Sequence, residues 1–499
     1  MDRREFLTAG VGATLAGSTV SSATSLTAAA AVAENSRTST PEILTTYTAK
    51  DHRLRLENIG ICERGIGKCM RKHLITDYMP GHCAYNLGEY PCLEPWDPDD
   101  WDEQELDKLR NHGIQLIHLH EEWNDSQRLF GGHKFAPLNP AGFRRFIDMV
   151  HKRGMKVEVY FSTGYFDWRD PDFSRQWARQ GDLNRLYFRY AHCSPASPGW
   201  RAYLLPRICR VMDEYGIDGF YNDLGYTNIA SNPQPPAKDE VLAFKESTTH
   251  DGAMGDLLAL IYAEVKRRGG TVKIHAGAGS RPQVDMKVYD YLWVGETVKS
   301  ADSLREATKN HPPYVVPCLD MARGARIENE DELYLHSIPY MQFPLLLAGR
   351  PFTGQRSVIP GIEYLPAAYL DHCRAAWKHY QANPDGPHCY AWWDSVPGRT
   401  KARPTHAYWL KQYLPMVEEG TWAWLEISNS SLFLKPLPQG IVASAFANRR
   451  LYLVLANYNR SGIEVETSDT YVSVAKPSAA PKKRWNLTAR SLHILRRST

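Results

Sequence analysis

From residue 53 to about 384, short β-type runs alternate with amphipathic runs of helical period. Eight β-type runs are predicted: Leu54–Ile61, Ile114–His120, Val157–Ser162, Ile217–Asp223, Val272–Ala276, Tyr291–Val294, Tyr314–Leu319 and Pro339–Phe343. Most are short and apolar, as strands buried on both faces are. Helical runs between them include Asp102–His112, Pro140–Arg153, Trp200–Tyr215 and Gly252–Arg268. Gly113, Gly154 and Gly216 each stand between a helical run and the next strand, where glycine suits a left-handed helix stop. Eight alternations predict an α/β fold, a (β/α)8 TIM barrel over 53–384. A doubly wound sheet is the alternative, and eight units favour closure. From 385 to 499 the texture changes to Ile441–Ala447, Leu451–Tyr458, Ile463–Thr467, Thr470–Val474 and Leu492–Leu495, split by Asn, Gly, Ser and Pro. Runs of this length with turn signals between them predict a C-terminal antiparallel β-sandwich.

The amino terminus reads as an address. Asp2-Arg3-Arg4-Glu5-Phe6-Leu7, a Gly/Ala/Thr-rich run and then Ala31-Val32-Ala33 resemble a bacterial twin-arginine export signal with its cleavage site. Residues 1–33 are therefore expected to be removed, leaving a mature chain that starts near Glu34 and a polar linker over 34–52. The resemblance implies the twin-arginine machinery as a partner of the precursor. It also implies a protein exported already folded to the periplasm or the medium.

Composition narrows the partners. With 59 Lys and Arg against 56 Asp and Glu, the net charge is +3, too even a balance for a polyanion-binding field, so no nucleic acid is expected. No apolar stretch is long enough to span a membrane. Nine cysteines without a tight CxxC pair argue against a zinc knuckle or a dense disulfide framework; Cys62, Cys69, Cys83 and Cys92 lie close enough in sequence for one or two bridges.

Barrel enzymes do their chemistry at the carboxyl ends of the strands, which turns sequence position into a site map. Strand two ends His118-Leu119-His120-Glu121-Glu122-Trp123, strand three leads into Tyr165-Phe166-Asp167-Trp168, and strand four ends Tyr221-Asn222-Asp223. Strand five ends at His275, strand six runs Trp293-Val294-Gly295-Glu296, and strand seven ends Asp320-Met321-Ala322-Arg323. Carboxylates beside aromatics suit glycosidic cleavage. One carboxylic acid protonates the leaving oxygen, a second carboxylate attacks the anomeric carbon or activates water, and flat rings suit the C–H faces of sugars. Asp223 is the nucleophile candidate, Glu296 the acid/base candidate and Asp320 the reserve. Trp293 beside Glu296 would raise its pKa by desolvation. His118, His120 and Glu121 are expected to bind sugar hydroxyls. Trp123, Tyr165, Trp168, Tyr221, His275, Trp293 and Arg323 complete the expected substrate-binding set. Arginines around Arg175, Arg179, Arg185, Arg189 and Arg201 would favour an acidic glycan if they line the cleft.

The run Ile217-Asp218-Gly219-Phe220-Tyr221-Asn222-Asp223 resembles the fourth-strand motif of retaining TIM-barrel glycosidases of the α-galactosidase and α-amylase clans. Tyr221 stands where those families carry lysine, and Glu296 where their sixth-strand acid is usually Asp. The resemblance implies a glycoside hydrolase acting by retention through Asp223 and Glu296, with no cofactor or metal. Two alternatives stand beside it. One is a non-catalytic carbohydrate-binding protein on a degenerate barrel. The other is a metal-dependent, amidohydrolase-like hydrolase built on His118 and His120, with His275 as a further ligand.

Overall fold

The structure is a computed structural model and describes residues 47–87, 96–120, 123–124, 135–167, 171–183, 190–223, 250–275, 287–294, 300–317, 329–350 and 402–498. The chain divides into a short unit ending at Glu57 and a second one from Asn58 onward. Helix α1 (Ala49–Gly65) opens the described chain; within its first turns Arg55 pairs with Asp51 and lies over the Tyr47 ring. The run Leu54–Ile61, predicted as the first strand, therefore belongs to a helix.

Eight parallel strands build the sheet of the second unit: β1 (His82–Asn86), β2 (Leu116–Leu119), β3 (Lys156–Ser162), β4 (Gly219–Asp223), β5 (Thr271–His275), β6 (Tyr291–Val294), β7 (Val315–Pro317) and β8 (Leu346–Gly349). They hydrogen-bond in the order β7-β6-β5-β4-β3-β2-β1-β8. The two outer strands meet where Leu345 N donates to Pro317 O at 2.8 Å and Tyr314 N to Met341 O at 3.3 Å. The first strand is thus His82–Asn86, and the eighth follows the predicted Pro339–Phe343, which holds a 3-10 turn at Ile338–Tyr340. Helices α2 (Asp100–His112), α3 (Pro140–His151), α4 (Pro198–Tyr215), α5 (His250–Arg267), α6 (Ala301–Thr308) and α7 (Glu330–Leu335) alternate with the strands. Their starts are written locally: Asp99, Asn139, Ser197, Ser300 and Asn329 each cap an N-terminus with a side-chain oxygen, satisfying amides that would otherwise go unpaired.

Inward and outward residues alternate along each strand. On β3, Val157, Val159 and Phe161 join the apolar core, and Phe161 packs against Phe220 with ring centroids 4.6 Å apart. Glu158 and Tyr160 face the other way, into the barrel. Contacts between non-adjacent strands fill that interior: His82 on β1 meets Tyr291 on β6 at 4.5 Å, and His118 on β2 meets Tyr221 on β4 at 4.4 Å. Gly219 keeps β4 close to β5, because a Cβ there would meet Thr271 O at 2.1 Å.

Between β3 and α4, short strands Tyr165–Asp167, Ala178–Leu183 and Tyr190–Cys193 form a small antiparallel sheet. Beneath it Phe166, Phe173, Trp177, Trp200 and Tyr203 pack ring against ring.

After α8 (Ala402–Tyr413) comes an antiparallel domain. Its seven-stranded sheet runs Lys482–Leu487, Ile463–Ser473, Ser491–Arg497, Leu451–Asn457, Ile441–Ala447, Trp422–Leu425 and Arg71–Leu74. Alternation serves both faces. Phe446, Tyr452, Val454, Ala456 and Ile494 join the barrel core, whereas Ala443, Ala445, Leu451, Leu453 and Leu455 form a second core with Cys62, Leu432 and Phe433. A two-stranded sheet, Ile66–Lys68 with Asn429–Ser430, accompanies it. Arg490 ties this domain to the barrel, donating to both carboxylate oxygens of Asp302 and of Glu332. The thiols of Cys62, Cys69, Cys83 and Cys209 form no disulfide; Cys92 lies outside the described residues. Among the described residues no helix is long and apolar enough to cross a membrane.

A histidine pair, one ring buried and the other half-buried, is expected to make the fold acid-sensitive. His406 on α8 lies with Nε2 3.0 Å from Pro344 O and Nδ1 2.7 Å from His112 Nε2. Burial holds His406 at about 3 and His112 at about 4, below the 6.5 of an unfolded histidine. The unfolded chain then takes up these protons first as pH falls, so their contribution is complete above about pH 6.5 and is lost on acidification toward those lower values. The urea midpoint is expected to fall steadily between pH 6.5 and 4, and His406→Phe to make that fall shallower. An unchanged slope in the variant would refute the assignment.

Candidate active site

The inward residues of β2 to β6 stack in levels from the barrel floor to its carboxyl-end mouth. At the floor, Glu158 on β3 and Lys273 on β5 form an ion pair whose side chains are 0% exposed. Glu158 is level with Gly219 on the intervening β4, so no side chain of that residue stands between the two charges. His118 Nδ1 lies 2.9 Å from the same Glu158 oxygen, and His118 Nε2 lies 3.4 Å from His120 Nδ1. His82 is also fully buried. Burial pushes His118, His120 and His82 well below the usual histidine range, and the Lys273 charge adds to the effect on each. The floor therefore holds one anion, one cation and neutral imidazoles, as a low-dielectric interior demands.

Above it lies the mouth. Asp223 ends β4, level with Ser162 on β3 and His275 on β5. Tyr160 OH donates to Asp223 Oδ2 at 3.2 Å, and His275 Nδ1 lies 3.4 Å from Asp223 Oδ1, with both side chains partly open to solvent. Trp293 on β6 meets His275 edge-on at 4.5 Å and Tyr221 at 5.1 Å. Tyr221 stands at the centre, within ring contact of His118, His120, Tyr160, His275 and Trp293. A carboxylate fixed by a phenol and an imidazole, in a partly water-excluded cup of aromatic rings, can act as a nucleophile or as a base.

Of the residues expected at the site, Asp223, Tyr221, His120, His275 and Trp293 converge here. Two do not reach the mouth. His118 is a floor residue held by Glu158. Trp123 is fully buried, stacked on Phe143 at 5.1 Å with Nε1 donating to Tyr160 O; it packs α3 against the sheet and offers no ring face to a sugar. Tyr165 begins the small antiparallel sheet, and its side chain lies outside the described residues. Glu121, Trp168, Glu296, Asp320 and Arg323 lie outside them as well. Arg201 does not belong to a cleft: it donates to the carbonyls of Pro195 and Ala253, while Arg175 sits on an exposed turn. His118 commits both ring nitrogens to Glu158 and His120, leaving none for an ion. Among the described residues no three His, Cys, Asp or Glu side chains are grouped to hold a metal.

Sequence reading missed Tyr160, Glu158, Lys273 and His82. For the first three the signal was present as polar residues at every second position in Lys156-Val157-Glu158-Val159-Tyr160 and Thr271-Val272-Lys273-Ile274-His275, a period that marks one strand face.

No protein-family model matches the chain, and no curated protein matches it. Solved structures are similar in fold. An α-galactosidase of GH36 from Geobacillus stearothermophilus, in complex with 1-deoxygalactonojirimycin, superposes with a TM-score of 0.51 at 10% identity, covering 84% of this chain and 55% of that one. This chain thus spans about half the length of that α-galactosidase. A maltogenic α-amylase from Thermotoga neapolitana gives 0.50 at 10% identity over 84% of this chain and 98% of its own. A trehalose-6-phosphate hydrolase from Bacillus licheniformis gives 0.50 at 11% identity over 85% and 100%. The chain has the fold these glycoside hydrolases share, a TIM barrel joined to a β-domain.

Proposed function

We propose that this protein is an exported glycosidase that cleaves an oligo- or polysaccharide with retention, using Asp223 as nucleophile and Glu296 as acid/base. One observation carries the reading: Asp223 sits at the carboxyl end of β4 with one oxygen held by Tyr160 and the other beside His275. In the first step Asp223 Oδ1 attacks the anomeric carbon as the bond to the leaving oxygen breaks, and Glu296 gives that oxygen its proton. In the second, water attacks the same carbon, Glu296 takes the water's proton, and the bond to Asp223 breaks. Tyr160 keeps its hydrogen bond to Oδ2 throughout, which limits rotation of the carboxylate. Export rests on Arg3-Arg4 and the Ala31-Val32-Ala33 site.

The similar structures named for α-galactosidase and maltogenic α-amylase make aryl α-galactosides and α-glucosides the first probes, followed by plant, algal and host polysaccharides. The mature protein recovered from the exporting cell is expected to begin near Glu34, to release aryl alcohol from one such probe, and to give a first-formed product of unchanged anomeric configuration by NMR. Inversion would replace the nucleophile role of Asp223 with that of a base. Silence on every glycoside would favour a binding protein on the same barrel.

A further inference from the structure

Among the described residues four large apolar side chains are exposed, and Trp101, at 40%, is the tryptophan of that set. It lies in the first turn of α2. Contacts of its neighbour Asp102 place that turn. Asp102 is buried and accepts from Tyr85 OH on β1 at 2.6 Å and from Arg350, the residue after β8, at 2.6 Å. Arg350 N in turn donates to Asn86 O at 2.8 Å. The start of α2 is thereby pinned to the carboxyl ends of β1 and β8, the same end of the barrel at which Asp223 closes β4. In the ring of eight strands β8 stands opposite β4, so Trp101 lies across the mouth from Asp223.

Beside the ring is an ion pair open to solvent. The Arg350 guanidinium carbon is 5.6 Å from the Trp101 ring centre. Arg350 Nη2 meets Asp99 Oδ1 at 2.8 Å, with side chains 30% and 59% exposed. A guanidinium carries five N–H donors. Those on Nε and Nη2 face Asp99 and Asp102, and Nη1 meets no acceptor among the described residues. Asp99 is held as well, accepting from Trp101 N at 2.9 Å. An apolar ring face, a cationic donor and a carboxylate thus stand together, each fixed by the barrel before any ligand arrives.

We propose that Trp101, Asp99 and Arg350 form an outer sugar subsite on the rim of the mouth, where the β8–β1 seam holds a neutral glycan chain several units away from the bond that Asp223 attacks. The C–H face of one sugar stacks on Trp101, and its hydroxyls meet Arg350 Nη1 and Asp99. Charge selects the glycan. Asp99 and Asp102 outnumber Arg350, and Asp100 stands beside them, so an acidic polymer is repelled. Binding at the rim stands on this geometry; only the passage of the bound chain to Asp223 rests on the glycosidase reading.

The mature chain carrying Asp223→Asn, which leaves the glycan intact, is run in native gels containing soluble starch, galactomannan, laminarin, polygalacturonate or alginate. Retardation is expected with at least one of the neutral polymers and with neither acidic one. Adding Trp101→Ala is expected to lower the association constant about tenfold, the loss of one stacked ring, with the thermal midpoint unchanged. Retardation by none of the neutral polymers, or an association constant that Trp101→Ala does not move, overturns the subsite. Tighter binding of an acidic polymer overturns the preference for neutral glycans. With Asp223 intact, Trp101→Ala is expected to raise KM about tenfold on the polysaccharide that is cleaved and to keep kcat/KM on the aryl glycoside within about twofold. An equal loss on both substrates overturns the remote position. If no glycoside is cleaved, the glycosidase reading falls, while the gels still decide the subsite.

Discussion

Replacing Asp223 with Asn is expected to lower kcat/KM on the best aryl glycoside by at least about 10^4-fold, or about 5.5 kcal/mol of transition-state stabilisation. The amide matches the carboxylate in shape, so the contacts to Tyr160 and His275 survive in outline and the thermal midpoint should move little. What disappears is the charge that bonds to the anomeric carbon. Glu296→Gln is expected to abolish steady turnover as well, because an activated leaving group eases the first step but the water of the second still needs a base. Full activity in both variants would move the chemistry to other residues. Loss in Asp223→Asn together with unfolding would make the residue structural, which a near-ultraviolet spectrum of the variant would reveal.

The second large effect concerns stability. Lys273→Met alone leaves Glu158 ionised and fully buried, and Glu158→Leu alone strands Lys273. Each is expected to cost about 3–5 kcal/mol in urea denaturation, the range for breaking a buried pair from one side. The double variant is expected to recover most of that loss, because two apolar side chains of similar volume remove both desolvation penalties at once. Additive losses would mean that the two charges do not meet. The ion pair inside this barrel is thus expected to tolerate removal of both partners far better than removal of either.

The sequence made β2 to β7 legible and left β1 and β8 obscure, for a physical reason. Ile114–His120, Val157–Ser162, Ile217–Asp223, Val272–Ala276, Tyr291–Val294 and Tyr314–Leu319 overlap the observed β2 to β7 because most of their outward residues are apolar. His82–Asn86 escaped notice: histidine, cysteine and asparagine give no apolar run, although all five residues are buried. Leu54–Ile61 imitated a strand because Leu54 and Leu56 are two apart, yet the segment belongs to helix Ala49–Gly65. In the C-terminal domain, Ile463–Thr467 and Thr470–Val474 are parts of one irregular strand, Ile463–Ser473, whose polar Ser468 and Asp469 read as a turn. At the site, Asp223 and His275 were found because strand ends point to the mouth. The Glu158–Lys273 pair was not, since opposite charges two strands apart announce themselves only when the sheet curls.

The strand Arg71–Leu74 precedes the whole barrel yet hydrogen-bonds to Trp422–Leu425, roughly 350 residues later, a separation that slows closure. On the ribosome this segment emerges early and waits with open amides until almost everything else has been translated. A fragment cut out from residue 402 onward would lack it and leave a bare edge, an invitation to pair with a stranger. Anyone subcloning the C-terminal domain should expect inclusion bodies unless the strand Arg71–Leu74 travels with it.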